Sequence, residues 1–461
     1  MTTAVAKQSA SVAKMVAATA KGRALMGGTT AMRAAGRTYL PQFPAEQDDA
    51  YRERLNLSWL FNGYRKTAKD MTGRVFSKSV EVLNPPGDME TWLDNVDMQG
   101  RDLSTFARGV FEDGLQAGVS YLWVDAPQRN GTVTQADAQA QNLRPYIVHL
   151  SVEDVLGWKA ETVNNVMTLT QIRIMEKISE TDPKDEFGQK EVQQVRVLDR
   201  KDTGVIVRLY RKSGKDEWAM IEKPYMTGLS EITVVPFYAN RCGFFAGEPL
   251  LDDLADVNIA HWQSQSDQRN ILHYARVPIL FAAGINSEDK ITVSASTAST
   301  ASDPNAKLTW VEHSGAAIGA GRQDLKDLEF QMEAYGLQLL VTKPQQSATG
   351  EALDAAKETS TLSMTADQLQ DALEQALGWM CVYGGLGNVA PEVEVNKEFG
   401  VTTMTAQEAT VLLQAVNTGN ISKETFIAEM VRRGMIDTVN PADEIDRIGV
   451  EGGGMMDNGG Q

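Results

Sequence analysis

The sequence predicts an α+β protein in which an antiparallel β module sits between helical regions. Three observations carry that expectation. Between Arg144 and Ala239 the apolar residues change from a helical period to alternation. On either side of this stretch they return at spacings of three and four. One later segment, Glu248 to Pro278, has the look of a long helix, yet its middle, "QSQSDQRN" from Gln263 to Asn270, is polar all round.

The bounds are those of a globular chain. With 461 residues, about three domains are expected at roughly 150 residues each. A content of 42% hydrophobic and 23% charged residues allows a sizeable core. A net charge of −17 argues against the whole protein adhering to DNA or to anionic membranes. That charge is uneven: Lys7, Lys14, Lys21, Arg23, Arg33 and Arg37 precede the first acid, Glu46. The Ala-rich, acid-free start shares composition with an organelle transit peptide, but reads better as a flexible basic arm over residues 1–38. Two distant cysteines, Cys242 and Cys381, make neither a disulfide framework nor a metal pattern. No apolar run reaches the length of a membrane span.

The elements follow in order. Residues 39–76 give a helix with Tyr51, Leu55, Trp59 and Tyr64 roughly on one side. "LSTFARGVFEDGLQAG" gives a second, with Ser104 as a cap and Gly118 as the stop. "VSYLWVDA" is a buried strand, and "QRNGTVTQADAQAQN" a polar loop. "YIVHL", "VLGW", "TQIRIMEKI", "QQVRVLD", "GVIVRLYRK", "EWAMIEK" and "ITVVPFY" are the strands of the β module. After the long helix come "ILFAAGI", a Ser/Thr/Ala-rich loop, and a segment closed by Gly315, Gly319 and Gly321. From about Arg322, Leu325, Leu328, Met332, Tyr335 and Leu339 follow a heptad seam. "VTKPQQSATG" interrupts it, and a third long helix runs from Glu351 to about Met380. "EVEVNKEFGV" is a strand, Thr405 to Glu408 a capping box, and "SKETFIAEMVRRG" a last helix.

Chemistry is largely absent. No phosphate loop, HExxH, EF-hand or nucleophile elbow occurs, and "GAAIGAG" is not a dinucleotide fingerprint. His149, His261, His273 and His313 are too far apart in sequence to share a metal and read as structural. Asp252, Asp253 and Asp256 suit the first turns of a helix, where the dipole favours acids. No catalytic, cofactor-binding or metal-binding residue is assigned, and no cofactor is expected. A helix polar all round can sit between subunits or line water, since a monomeric bundle would bury one stripe of it.

These residues resemble a known family. "YLPQFPAEQDDAYRERL", "GRVFSKSV", "EPLLDDLADVNIAHWQSQSDQRNILHYARVPIL" and "LKDLEFQMEAYGLQLL", in this order, are similar to portal proteins of tailed bacteriophages. The likeness is greatest to a group long catalogued as a domain of unknown function. It spans about Tyr39 to Arg433. The resemblance implies a portal fold: a wing of mixed helices and β module at residues 39–248, stem helices at 249–276 and 322–340, and a small clip at 277–321 between them. It further implies a tunnel loop at 341–350, a long wing helix with a return strand at 351–404, a short helical crown at 405–450, and a disordered tail at 451–461. It implies a homo-oligomeric ring, a dodecamer, at one capsid vertex of the virion, assembled in the host cytoplasm and engaging no membrane. Double-stranded DNA would pass through it without sequence specificity during packaging and ejection. The terminase large subunit, the head–tail adaptor, and the major capsid and scaffolding proteins are the implied partners. Lys343, Gln345 and Gln346 of the loop, with Arg322 and Lys326 of the stem, become candidates for transient phosphate contact in the tunnel. Leu325, Leu328, Met332, Tyr335 and Leu339 become stem-packing residues. An acidic wall offers DNA no counterion gain, so it confines without binding. The alternatives are another head–tail connector ring or an enzyme built on the β module.

Overall fold

The structure, a computed structural model, describes residues 4–127, 141–181, 185–213, 217–276, 279–284, 305–311, 316–340, 361–397, 399, 413–416 and 421–432. Its helices are α1 (Ala10–Met26), α2 (Gly28–Ala35), α3 (Asp48–Leu57), α4 (Gly63–Val75), α5 (Met89–Leu93), α6 (Leu103–Ala117), α7 (Asp252–Ala275), α8 (Ala316–Leu340), α9 (Thr361–Gly384) and α10 (Lys423–Arg432). Its strands are β1 (Glu81–Leu83), β2 (Val119–Asp125), β3 (Tyr146–Leu150), β4 (Val155–Val163), β5 (Val166–Thr181), β6 (Gln189–Lys201), β7 (Gly204–Lys212), β8 (Trp218–Met220), β9 (Tyr225–Met226), β10 (Val234–Tyr238), β11 (Arg241–Gly243), β12 (Ala246–Gly247), β13 (Ile279–Ala283), β14 (Lys307–Val311) and β15 (Glu392–Glu394). Mixed helices and antiparallel ladders are the class the sequence predicts.

The core is organised by α6 and β2. Asp102, not Ser104, caps α6 by accepting from the Thr105 amide at 2.6 Å. Gly118 ends it in the left-handed region, φ 77°, and the chain turns straight into β2. β2 is buried over nearly its whole length, so it needs a strand on each edge. It takes β10 on one side and β3 on the other. This divides the expected β module: "YIVHL" and "VVPFY" leave it for β2, and β4 to β9 form a separate six-stranded sheet. Val119, Tyr121 and Trp123 of β2 pack against Ile172, Ile174, Leu198 and Val207 of that sheet in one apolar cluster. Val195 and Val197, pointing the other way by alternation, form a second cluster with Leu156, Trp218 and Val5. Asn164 and Asn165 both take positive φ, the two-residue turn that joins β4 to β5.

The flexible arm expected at residues 1–38 is instead ordered and built into the core. Ser9 caps α1, and Val12, Met15, Thr19, Gly22 and Leu25 form one buried stripe. Val12 and Met15 belong to the main apolar cluster. The stripe is narrow and made of small or medium residues, so composition concealed it. The missing acids are supplied from elsewhere: Lys21 pairs with Asp252 at 2.9 Å and Asp256 at 2.7 Å, and Arg23 with Glu153 at 2.8 Å and with Asp113.

Other boundaries also differ. The single helix expected over residues 39–76 is two, α3 and α4, separated by an extended segment in which Ser58 and Leu60 are buried while Trp59 and Phe61 face out. The first stem helix, expected at 249–276, is Asp252–Ala275. The second begins at Ala316, inside the expected clip of 277–321. Gly319 and Gly321 are therefore helical, and a side chain at Gly321 would collide with the Gln268 amide of α7. β13 and β14 pair as an antiparallel ladder from Ile279↔Val311 to Ala283↔Lys307. α9 runs to Gly384, past the expected Met380, and packs on β10 and β2. The return strand β15 pairs with β1.

Residues 1–342 with 360–396 form one compact unit. A second comprises 343–359 and 397–461. Within the second, α10 is capped by Ser422, which accepts from the Thr425 amide at 3.0 Å. The tunnel loop, the Thr405–Glu408 capping box and the 451–461 tail lie outside the described residues.

Candidate functional site

α7 and α8 are the elements for which the sequence expects a role. Their cross-links set the direction: His261 Nε2 lies 3.4 Å from Glu329 Oε1, Ser264 Oγ donates to Asp324 Oδ2 at 2.5 Å, and Gln268 Nε2 donates to the Ile318 carbonyl at 2.9 Å. As one number rises the other falls, so the helices are antiparallel. At about 1.5 Å per residue each is roughly 36–38 Å long.

The polar middle of α7 does not stay free for a neighbouring subunit. Gln265, Ser266 and Gln268 are buried within the chain. Ser58 Oγ donates to Ser266 Oγ at 2.8 Å, and Gln263 donates to the Tyr39 carbonyl at 3.0 Å. One turn earlier, Asn258 accepts from the Tyr64 amide at 2.9 Å and donates to the Phe61 carbonyl at 2.7 Å. A helix that packs against irregular backbone must satisfy that backbone's polar groups, and polar side chains do so. Periodicity alone could not show this, because the partners lie some two hundred residues earlier in the chain.

Arg54 of α3 is the centre of this arrangement, and no pattern in the sequence marks it. Its side chain is 2% exposed and forks onto Glu46, itself 8% exposed, with Nε to Oε1 at 2.7 Å and Nη2 to Oε2 at 2.7 Å. Nη2 also donates to the Pro41 carbonyl at 2.9 Å, and Nη1 reaches Ser266 Oγ at 3.4 Å and Asp267 at 3.5 Å. The guanidinium lies 4.3 Å from the Phe43 ring centroid. The Arg54 hydrogen bonds hold the Glu46 carboxyl below the usual glutamate range. Burial pushes Asp267 up and His261 down.

The expected stem seam is only partly a seam. Met332 is buried, with its sulfur close to Gly63 of α4, so it packs against the body. Leu325 and Leu328 are half-buried, and Tyr335 is exposed. Of Leu339 the backbone is described and the side chain is not. Arg322 and Lys326 are exposed on α8, four residues apart and hence on one face. Lys343, Gln345 and Gln346 lie outside the described residues. Among the described residues no group of three or more His, Cys, Asp or Glu could hold a metal, and no helix is long and apolar enough to cross a membrane. His149 meets Asp113 at 3.3 Å, and Cys381 is buried with its thiol pushed up by that burial.

No curated protein matches the chain. Among solved structures it is similar to a chain in the virion of the native gene transfer agent particle, at 9% identity and TM-score 0.41, covering 82% of this chain and 90% of that one. Chains in two other structures behave alike. One is in the neck of the empty particle computed with C6 symmetry, at 9% identity and TM-score 0.40, over 82% and 90%. The other is in the neck of the native particle computed with C12 symmetry, at 9% and 0.37, over 80% and 89%. At TM-scores below 0.5 these likenesses do not by themselves fix a shared fold. Residues 249–384, the span holding α7, β13, β14, α8 and α9, match a family model described as a domain of unknown function, DUF4055.

Proposed function

We propose that the chain is the portal subunit of a tailed phage or phage-like particle. Copies form a ring at one capsid vertex, as a dodecamer, and double-stranded DNA passes through it. The ring docks the terminase large subunit during packaging and a head–tail adaptor afterwards, and no catalytic step is involved. One observation carries the reading: α7 and α8 are long, antiparallel, locked by internal polar bonds and linked through the β13–β14 ladder. Such a pair is rigid within one chain, yet its outer side offers apolar groups for a neighbour to cover. Phe330 of α8 is 71% exposed. The acidic net charge of −17 per copy suits a passage that must not retain phosphate.

Electron micrographs of the purified protein test this directly, and closed rings with a central hole are the expected image. Monomer alone at micromolar and higher concentration, by native mass spectrometry, would count against the reading. Two substitutions separate assembly from folding. Phe330→Asp should lower the ring fraction and leave the urea midpoint of the monomer unchanged, because Phe330 has little to lose within its own chain. Met332→Asp should cost about 3 kcal/mol or more of folding stability and so lower that midpoint, since it buries an unpaired charge.

Lys343, Gln345 and Gln346 are proposed to meet DNA in the tunnel, with Arg322 and Lys326 as secondary contacts. Lys343→Glu should leave rings intact and change genome packaging or retention, because it adds a circle of like charge to the passage. Normal packaging and retention by such particles would remove the loop from the DNA path.

A further inference from the structure

Two features lie at opposite ends of β5. At its Val166 end is an open groove of about 660 Å³ between the β4–β5 turn, β10 and α9. Ile232, Val234 and Phe245 form buried apolar walls. Val166 and Met167 stand at its rim, 64% and 52% exposed. Arg241 also lines it, with its guanidinium 4.8 Å from the Tyr238 ring centroid. Arg200 is there too, beside Glu231 at 3.8 Å, and Asp371 of α9 faces the same space.

At the Thr181 end, β5 and β6 outrun their neighbours. β4 pairs with β5 only as far as Ile174, and β7 reaches β6 only from Gln194. From Lys177↔Gln193 to Thr181↔Gln189 the two strands pair alone. An isolated two-stranded ribbon is marginal in water, so this one gains from a surface to rest on. Beyond it, Asp185 orders a turn by accepting from the Phe187 amide at 3.0 Å and, through its carbonyl, from the Gly188 amide at 2.9 Å. That turn presents Phe187, 90% exposed, next to the acids Asp185 and Glu186.

We infer that this tip docks into the groove of a second copy of the chain, with Phe187 against the apolar wall and Glu186 beside Arg241. Neither Glu186 nor Arg241 makes an ion pair among the described residues, so the contact supplies each with its complement. A chain cannot fill its own groove, since the two sites are about 50 Å apart along β5 at ~3.3 Å per residue. Plug and socket at opposite ends of one element give a head-to-tail contact, which repeats from copy to copy and closes when the rotation allows. The inference rests on the ring reading and names one of the ring's contacts.

The exposed Cys242, adjacent to Arg241, provides the test. Glu186→Cys keeps Phe187 in place and puts a thiol on the tip. A short bis-maleimide should then give a ladder of covalent oligomers on a denaturing gel, and adding Cys242→Ser should abolish it. Independently, Phe187→Ser should reduce the assembled fraction roughly tenfold, as loss of an aromatic anchor does. Arg241→Glu with Glu186→Arg should recover assembly that either change alone reduces. Rings that form without cross-links, and are unaffected by Phe187→Ser, overturn the contact and leave the portal reading standing. A cross-linked dimer that persists with Cys242→Ser means tip meets tip and also overturns it. Cross-linked open chains without rings uphold the contact and remove the closed ring. Failure of the unmodified protein to associate at any concentration, with no cross-links, removes both.

Discussion

Arg54→Ala should be among the most damaging single changes in the chain, costing about 3–5 kcal/mol, the usual loss when one partner of a buried ion pair is removed. The cause is in what stays behind. Glu46 keeps a buried carboxylate with no fork to hold it, and the Pro41 carbonyl and Ser266 lose a donor. The stacked face of Phe43 goes as well. Arg54→Lys keeps the charge but cannot bond both carboxylate oxygens in the planar geometry, so an intermediate loss is expected. The pH dependence gives a second readout. The Glu46 pKa is lowered in the folded state by Arg54, so its contribution is present above the unfolded-state pKa. It is lost as pH falls through the lowered folded value. Urea midpoints compared at neutral pH and in the acid range should therefore converge between the wild type and Arg54→Ala. A gap that persists unchanged into acid would assign the role of Arg54 to packing alone.

Gly118→Ala is the other change of large effect. The residue ends α6 with φ 77°, where any side chain costs about 1–2 kcal/mol. Here the added carbon would also strike the backbone of Glu248, which is held against Gly118 where β12 ends. Neither side can yield easily: Gly118 is tied between α6 and β2, and Glu248 donates its amide to the Asn240 carbonyl at 3.1 Å. Gly228 is the internal control, since its φ is 80° but nothing lies within 4 Å of an added side-chain carbon. Gly228→Ala should show the conformational cost alone. Gly118→Ala should lose at least about 3 kcal/mol or fail to give soluble protein. Equal urea midpoints for the two would show that the Glu248 backbone can move aside.

What could be read from the sequence was what is local. The alternation in "GVIVRLYRK" and the stop at Gly118 depend on neighbours a few residues away. Helix α7 was legible for the same reason. The role of its polar middle was not, because Ser266 and Gln263 meet Ser58 and Tyr39 across some two hundred residues. The N-terminal segment failed in the same way: a helix without acids looks unpartnered until Asp113, Glu153 and Asp256 appear beside it. Arg54 gave no signal, being one of two arginines in "YRERL", the other of which, Arg52, is exposed. The order of segments that suggested the resemblance includes the stretch, residues 249–384, that matches the family model of unknown function. The tunnel-loop residues had only their position in that order to mark them.

The docking of α1 has a consequence for biosynthesis. Lys21 finds Asp256 across 235 residues of chain. At roughly 5–20 residues per second, a ribosome needs on the order of 10–50 s to make that interval. Through that time α1 has emerged and the helix that supplies the acids for Lys21 does not yet exist. Helix α1 is therefore made well before the last of its contacts, and a nascent chain halted before Asp252 has the strands that receive Val12 and Met15 but neither acid that pairs with Lys21.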